Sequence, residues 1–391
     1  MVGDELIINF DSGFVDEDLE LWSNGLNIVI RDGIIEHIGR GKASGRNVVN
    51  FDVALAMPPL ANLHTHILDY AFPEVGWDLD IDSLVGDPYG VKYLMLSKSD
   101  IDSLKNALTR FLNHSWSYGV GILVEFREGG ITSTLLDIDS RPKTHLVFGM
   151  PTDTTNALSQ VAEMGKFING IGVSSPLYFR GNDLRALNNL AKSLNIYIHT
   201  HISEVAETHD EGDLEYALKY FRPDAIVHGT YLSHDELTLL KDLKIPLIMC
   251  LRSNLWFVGR LPDLKTIKNL DIDVGLGTDN ASWVKGDLWR ELDLLVNMLR
   301  TRGVLEPKWV LKVATNSAIV GINNRLREGN RANILIINEE LTSIKYARDK
   351  YLATVKRGGS EGVEVLITDG VLRYCSSRCE AICNNLRDVL S

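Results

Sequence analysis

From Pro58 onward, short apolar runs alternate with stretches of helical periodicity. The runs Leu60–His66, Val120–Arg127, His145–Pro151, Gly170–Ser175, Asn195–His201, Ala225–Tyr231, Pro246–Leu251 and Asp273–Gly277 read as eight strands. Helical segments separate them. Ser99–Trp116 opens with Ser99 and Asp100 as cap candidates, and Asn182–Leu194 with Asn182 and Asp183. Ser233-His234-Asp235-Glu236 fits a capping box, and Asp287–Arg300 is an amphipathic helix. Eight strands with intervening crossovers predict an α/β fold, a (β/α)8 barrel.

The two chain ends have a different rhythm. Glu5–Phe10, Leu26–Ile30 and Ile34–Gly39 read as strands of a small meander, with Arg31-Asp32-Gly33 as a turn. Ala332–Asn338 reads as a strand, and Gly362–Leu372 as two strands around Asp369-Gly370. The simplest architecture places the barrel at 58–325. A small β-sandwich domain is then composed of 1–57 and 326–391.

The chain has 391 residues, 45% hydrophobic and 24% charged, which affords a large core and excludes disorder. Its net charge of −12, without a basic stripe, argues against nucleic-acid partners. No apolar run reaches the roughly 18 residues of a membrane span. Met1-Val2-Gly3-Asp4-Glu5 has no leader pattern, so a cytoplasmic location is expected. Cys375, Cys379 and Cys383 recur every fourth residue. They suit a metal or disulfide cluster or a buried apolar stripe, and the stripe is the expectation.

The chemistry gathers at strand ends. His64 and His66 sit two apart at the end of the first strand, so both rings face one side. The fifth strand ends at His199-Thr200-His201, followed by Glu204, the sixth carries His228, and Asp279 follows the eighth. The C-terminal rim of such a barrel is where active sites form. Four strands thus deliver His or Asp to one rim.

In these stretches the sequence resembles the amidohydrolase superfamily, within it the mononuclear branch of cytosine deaminase, guanine deaminase and chlorohydrolase-like enzymes. The likeness rests on Met57–His66, His201-Ile202-Ser203-Glu204, Val227-His228-Gly229, Cys250–Asn254 and Gly277-Thr278-Asp279-Asn280. Ala314–Ala318 and Glu328–Asn333 extend it over nearly the whole chain. The resemblance implies His64, His66, His201 and Asp279 as metal ligands. It implies His228 beside the attacking water, Glu204 as proton shuttle and Asp279 as proton acceptor. His199 faces the same way as His201; the family's Glu three residues after the ligand selects His201, leaving His199 a supporting or core residue. Leu251 and Asn333 replace the family's usual Pro and Asp. The fourth strand ends Val173-Ser174-Ser175-Pro176 without the Lys of binuclear branches. One divalent ion per chain is therefore expected, zinc or else iron.

The resemblance implies a metal-dependent hydrolase of C–N bonds, foremost a deaminase of an N-heterocycle such as a nucleobase or nucleoside derivative. Ring opening of a cyclic amide or imidazolone, chlorohydrolase-type displacement and a non-catalytic scaffold are the alternatives. A small-molecule substrate and a homodimer are expected. The Ile67–Lys98 excursion, with Trp77, Tyr89, Asp78, Asp80, Asp82 and Asp87, reads as a lid or pocket wall. Arg252, Trp256, Arg127 and Trp77 are the candidate substrate contacts, with Trp283 as a further stacking candidate. Glu125–Glu128 reads equally as substrate-facing or as a structural ion pair. His37, His114, His145, His209 and His234 read as surface or packing residues.

Overall fold

The structure is a computed structural model that describes residues 5–390. Met1–Asp4, read above for a leader, lie outside the described residues. Eight parallel strands form the central sheet: Leu60–His66, Val120–Arg127, His145–Gly149, Gly170–Val173, Tyr197–Ile202, Ala225–His228, Leu247–Met249 and Val274–Leu276. The eighth pairs back on the first through Leu276 and Asn62, which closes the barrel. A two-residue extension, Asp279–Asn280, pairs with Thr65 and His66. The predicted strands are therefore present, most of them ending a few residues earlier than the apolar runs.

Two apolar layers hold the barrel. Inside, Ala61, Leu63, Ile122, Val124, Phe126, Phe148, Val227 and Ile248 fill the interior. Outside, strand residues such as Leu123, Val147, Ile171 and Ile226 pack against helix residues such as Leu108, Phe111, Leu187 and Leu292. This is the division that parallel strands buried on both faces require. The Ser233–Glu236 capping box forms at the start of His234–Leu243. Asp100, not Ser99, caps Ile101–Ser117. The helix Gly181–Leu194 begins one residue before the expected caps and has no side-chain cap.

Both chain ends build the remaining sheets. One orders Ile34–Arg40, Leu26–Arg31, Leu6–Phe10 and Val48–Asn50. The other orders Val371–Cys375, Val363–Thr368, Ile334–Asn338, Ala54–Met57, Ser12–Val15 and Glu20–Trp22. Alternation along Ile334–Asn338 decides what faces what. Ile334 and Ile336 join Ile8, Phe10 and Ile28 between the sheets, whereas Leu335 and Ile337 join the barrel's outer core.

The cysteine expectation is corrected here. Cys375 and Cys383 form a disulfide, and only Cys379 remains a buried free thiol of that trio. Extrapolating one helix through all three fails because Cys375 ends a strand, and the helix begins at Glu380. The bond ties that strand to the helix Glu380–Leu390. Closing a loop of this length restricts the unfolded chain by about 2–3 kcal/mol. Cys383→Ser should lower stability by about that amount in a urea titration, and reductant should do the same to the parent protein. An unchanged midpoint in both would contradict a stabilising link.

Candidate metal centre and active site

The first strand loses regular register with the second between Asn62 and Thr65. Leu63 thereby packs in the interior while His64 and His66 both reach the mouth. Asn62 then locks the opposite edge, donating to the Thr278 hydroxyl and accepting from the Thr278 amide at 2.8 and 3.0 Å. Thr65 donates to the Asp279 carbonyl at 3.0 Å. Ser203, His228 and Asp279 have φ of 48°, 73° and 63°, left-handed conformations that cost of order 1–3 kcal/mol each for such residues. Asp279 and His228 turn sharply at their strand ends and reach the same point.

There, His64, His201, His228 and Asp279 each present a ligand atom within 4.8 Å of the others. His64 Nε2 is 3.2 Å from both Asp279 Oδ1 and His201 Nε2. His66 Nε2 is 3.4 Å from the same Asp279 oxygen. Outer hydrogen bonds fix the tautomers. His201 Nδ1 donates to the Ser174 carbonyl at 3.0 Å. His66 Nδ1 donates to Glu128 at 2.6 Å, and His228 Nδ1 to Asn254 Oδ1 at 2.9 Å. Asn254 is oriented in turn by donating to Thr230. Three rings therefore turn a bare Nε2 inward, and His228 Nε2 has no hydrogen-bond partner.

The titration pattern agrees. Burial lowers His64 to about 3 and holds His201 well below 6.5, so both are neutral at pH 7. Burial opposes ionisation of Asp279, but His64, His228 and His66 outweigh it and keep the carboxylate charged. Ser253 donates to its second oxygen. Inward lone pairs around one carboxylate, buried from water, are a donor set that fits a divalent cation.

Glu204 stands 3.5 Å from His228 Nε2, and burial raises its pKa. The pocket beside it is lined by His66, His201, Asp279, Ser174, Tyr178 and residues of the 67–98 excursion. From that excursion come Ile81, Asp82, Val85, Asp87, Lys92 and Tyr93. The expected pocket wall is thus built of short helices, Ile81–Val85 and Val91–Lys98.

The substrate-contact candidates fall elsewhere. Arg127 is fully buried, pairs with Glu125 and Asp137, and donates to the Ser133 carbonyl. His145 bridges Glu125 and Asp137 at 2.9 and 3.3 Å. Burial opposes their charge, yet Arg127 and His145 hold both carboxyls below their ordinary values. Of the Glu125–Glu128 stretch, the structural ion pair is therefore what forms at Arg127. Arg252 is spent on Glu291 at 2.6 Å and on the carbonyls of Lys285 and Asp287. Trp256 stacks on Trp283 with centroids 5.2 Å apart, and Trp77 is 73% exposed; none of the three tryptophans lines this pocket. His199 is a core residue against Phe148, lowered by burial to about 3.

Sequence reasoning gave no role to Lys92, Asp69, Asn254 or Ser253, although the last two lie in the Cys250–Asn254 stretch quoted above. Lys92 gave one signal, a lone cation inside the mostly apolar run Val91-Lys92-Tyr93-Leu94-Met95-Leu96. The others lie one or two turns beyond strand ends and declare themselves only through contacts.

A sequence profile of the Amidohydrolase family matches residues 55–372. A putative aminohydrolase of Methanothermobacter thermautotrophicus is 26% identical over 384 residues, 93% of this chain and 98% of that protein. A 5'-deoxyadenosine deaminase of Methanobrevibacter smithii is 24% identical over 356 residues, 82% of this chain and 78% of that one. Among solved structures, atrazine chlorohydrolase from Arthrobacter aurescens TC1, complexed with zinc, superposes with a TM-score of 0.81. That match covers 99% of this chain and 100% of the other at 15% identity, a likeness of fold.

The buried ion cluster generates a stability test. Arg127→Met leaves Glu125 buried without its guanidinium partner and Asp137 with that of Arg141 alone, and should cost about 3–5 kcal/mol. Urea unfolding reads it; a loss under about 1 kcal/mol would contradict the structural role.

Proposed function

We propose that this chain, which belongs to the amidohydrolase family and is a hydrolase of carbon–nitrogen bonds, is a deaminase of an uncharged nitrogen heterocycle, a nucleobase or nucleoside. The observation that carries this is the set of inward ring nitrogens around Asp279 with Glu204, its pKa raised by burial, beside it. We assign His64, His66, His201 and Asp279 as ligands of one divalent ion, zinc by the chemistry of the donors. His228 belongs to the same cluster, but its Nε2 faces Glu204, so we give it the attacking water. Such an ion, when bound, lowers the pKa of water and polarises the group under attack.

The chain's own groups move the protons. Glu204, whose pKa burial raises, gives its proton to a ring nitrogen and makes the adjacent carbon electrophilic. His228, held by Asn254, orients the water and stabilises the oxygen that becomes tetrahedral. Asp279 takes the proton that water gives up, and the amino group leaves as ammonia after receiving one. The deaminase name borne by a relative of similar length supports this reading.

Charge in the pocket narrows the substrate. Asp82, Asp87, Glu204, Asp213 and Asp279 line it, against a single cation, Lys92, among the described residues. Lys92 is already paired with Asp69 and Glu128. Burial, then Asp82, Asp87 and Glu204, raise the Tyr178 phenol, as a negative field does. No Lys or Arg lining the pocket is left unpaired to receive a phosphate or carboxylate, and like charges brought together cost several kcal/mol.

The test is ammonia release by zinc-loaded protein across aminopurines, aminopyrimidines, their nucleosides and the matching 5'-phosphates, with Asp279→Ala alongside. Ammonia should appear with a base or nucleoside, fall at least ~10-fold for its phosphate, and vanish in the variant. Consumption of a cyclic amide without ammonia would instead establish ring opening. Glu204→Gln should retain zinc and lose about 10²–10⁴ in rate. Because Glu204 acts protonated and its pKa is raised, the parent rate should fall as pH rises through that pKa. A Glu204→Gln variant of near-parental rate would remove the acid assignment.

A further inference from the structure

Lys92 is 4% exposed, although it belongs to a surface excursion. Its Nζ lies 2.5 Å from Glu128 Oε1 and 3.1 Å from Asp69 Oδ2. The same Glu128 oxygen accepts from His66 Nδ1 at 2.6 Å. Lys92 therefore holds the carboxylate that sets the tautomer and orientation of His66. A second contact repeats the arrangement. Asp87, also in the excursion, accepts from the Ser174 hydroxyl at 2.6 Å. The carbonyl of that serine accepts from His201 Nδ1 at 3.0 Å.

Two histidines of the centre are thus oriented by acceptors that the excursion itself grips. The intervening residues Ile81, Asp82, Val85 and Tyr93 form the pocket wall. A buried ammonium carries a large desolvation penalty, which its two carboxylates offset only while the wall is seated. Unseating residues 81–98 would expose Lys92 and leave Glu128 free to turn away from His66.

Resting on the metal assignment above, we propose that Lys92 is a positioning residue that couples seating of the pocket wall to the metal centre. Metal binding and wall closure then stabilise each other, a reciprocity that any such linkage obeys. Asp87 acts in the same sense through Ser174. The pocket is consequently assembled for substrate once the ion is in place.

The experiment uses the full chain and zinc alone. Zinc affinity is measured by competition with a chromophoric chelator, and amide hydrogen exchange of residues 81–98 is followed with and without zinc. In the parent, zinc should slow exchange across 81–98. Lys92→Met should weaken zinc at least ~10-fold, the scale of losing a supporting partner of a metal ligand, and abolish the zinc-dependent slowing. If Lys92→Met does not fold, Lys92→Met with Asp69→Asn removes one charge of each sign and serves the same comparison. Asp87→Asn should weaken zinc in the same direction, by less. A lower melting temperature with unchanged zinc affinity and unchanged zinc-dependent exchange would overturn the proposal, since that is what simple packing gives. A parent protein that takes up no zinc would overturn the underlying metal assignment instead, and the coupling with it.

Discussion

Closure of the parallel sheet between its first and last strands is the constraint on which the site depends. Leu276 pairs with Asn62, and the Asn62 side chain bonds both the amide and the hydroxyl of Thr278. Asp279 follows directly, and Thr65 holds its carbonyl. Without closure, His64 and Asp279 would sit on opposite edges of an open sheet. With it, their ligand atoms are 3.2 Å apart. Irregular register near His64 and left-handed φ at Asp279 then aim both side chains at one point. Regular strands would alternate them to opposite faces.

Two buried ionic clusters flank the second barrel strand and differ in what they support. Arg127, Glu125, Asp137 and His145 lie within the protein and do not line the pocket beside Glu204. Lys92, Asp69, Glu128 and His66 touch the pocket at one end and the centre at the other. Residues 127 and 128, adjacent in sequence, thus serve opposite sides of one strand end. In both clusters the buried cation, Arg127 or Lys92, meets two carboxylates.

Much of this was legible in the residues. The barrel was readable because strands buried on both faces are short apolar runs, and Val120–Arg127 stays buried to its end although Glu125 and Arg127 are charged. That His64, His66, His201, His228 and Asp279 come together was readable because strand ends sit at one rim. Lys92 was not, because its burial comes from the path of the excursion over the rim and not from any local period. Arg127 misled because the last residue of a strand can turn either way, and its partner Asp137 lies ten residues on in an irregular connection. The cysteine trio misled because spacing was extended across a strand-to-helix boundary. Local periodicity reports elements well and reports side-chain partners across loops poorly.

The account stands on one divalent ion per chain held by neutral imidazoles and a carboxylate. The most direct measurement is zinc stoichiometry by equilibrium dialysis and elemental mass spectrometry, on the parent and on His201→Ala. One equivalent in the parent, lost in the variant, is the predicted result. No zinc in the parent, or two equivalents with one surviving the variant, would contradict it.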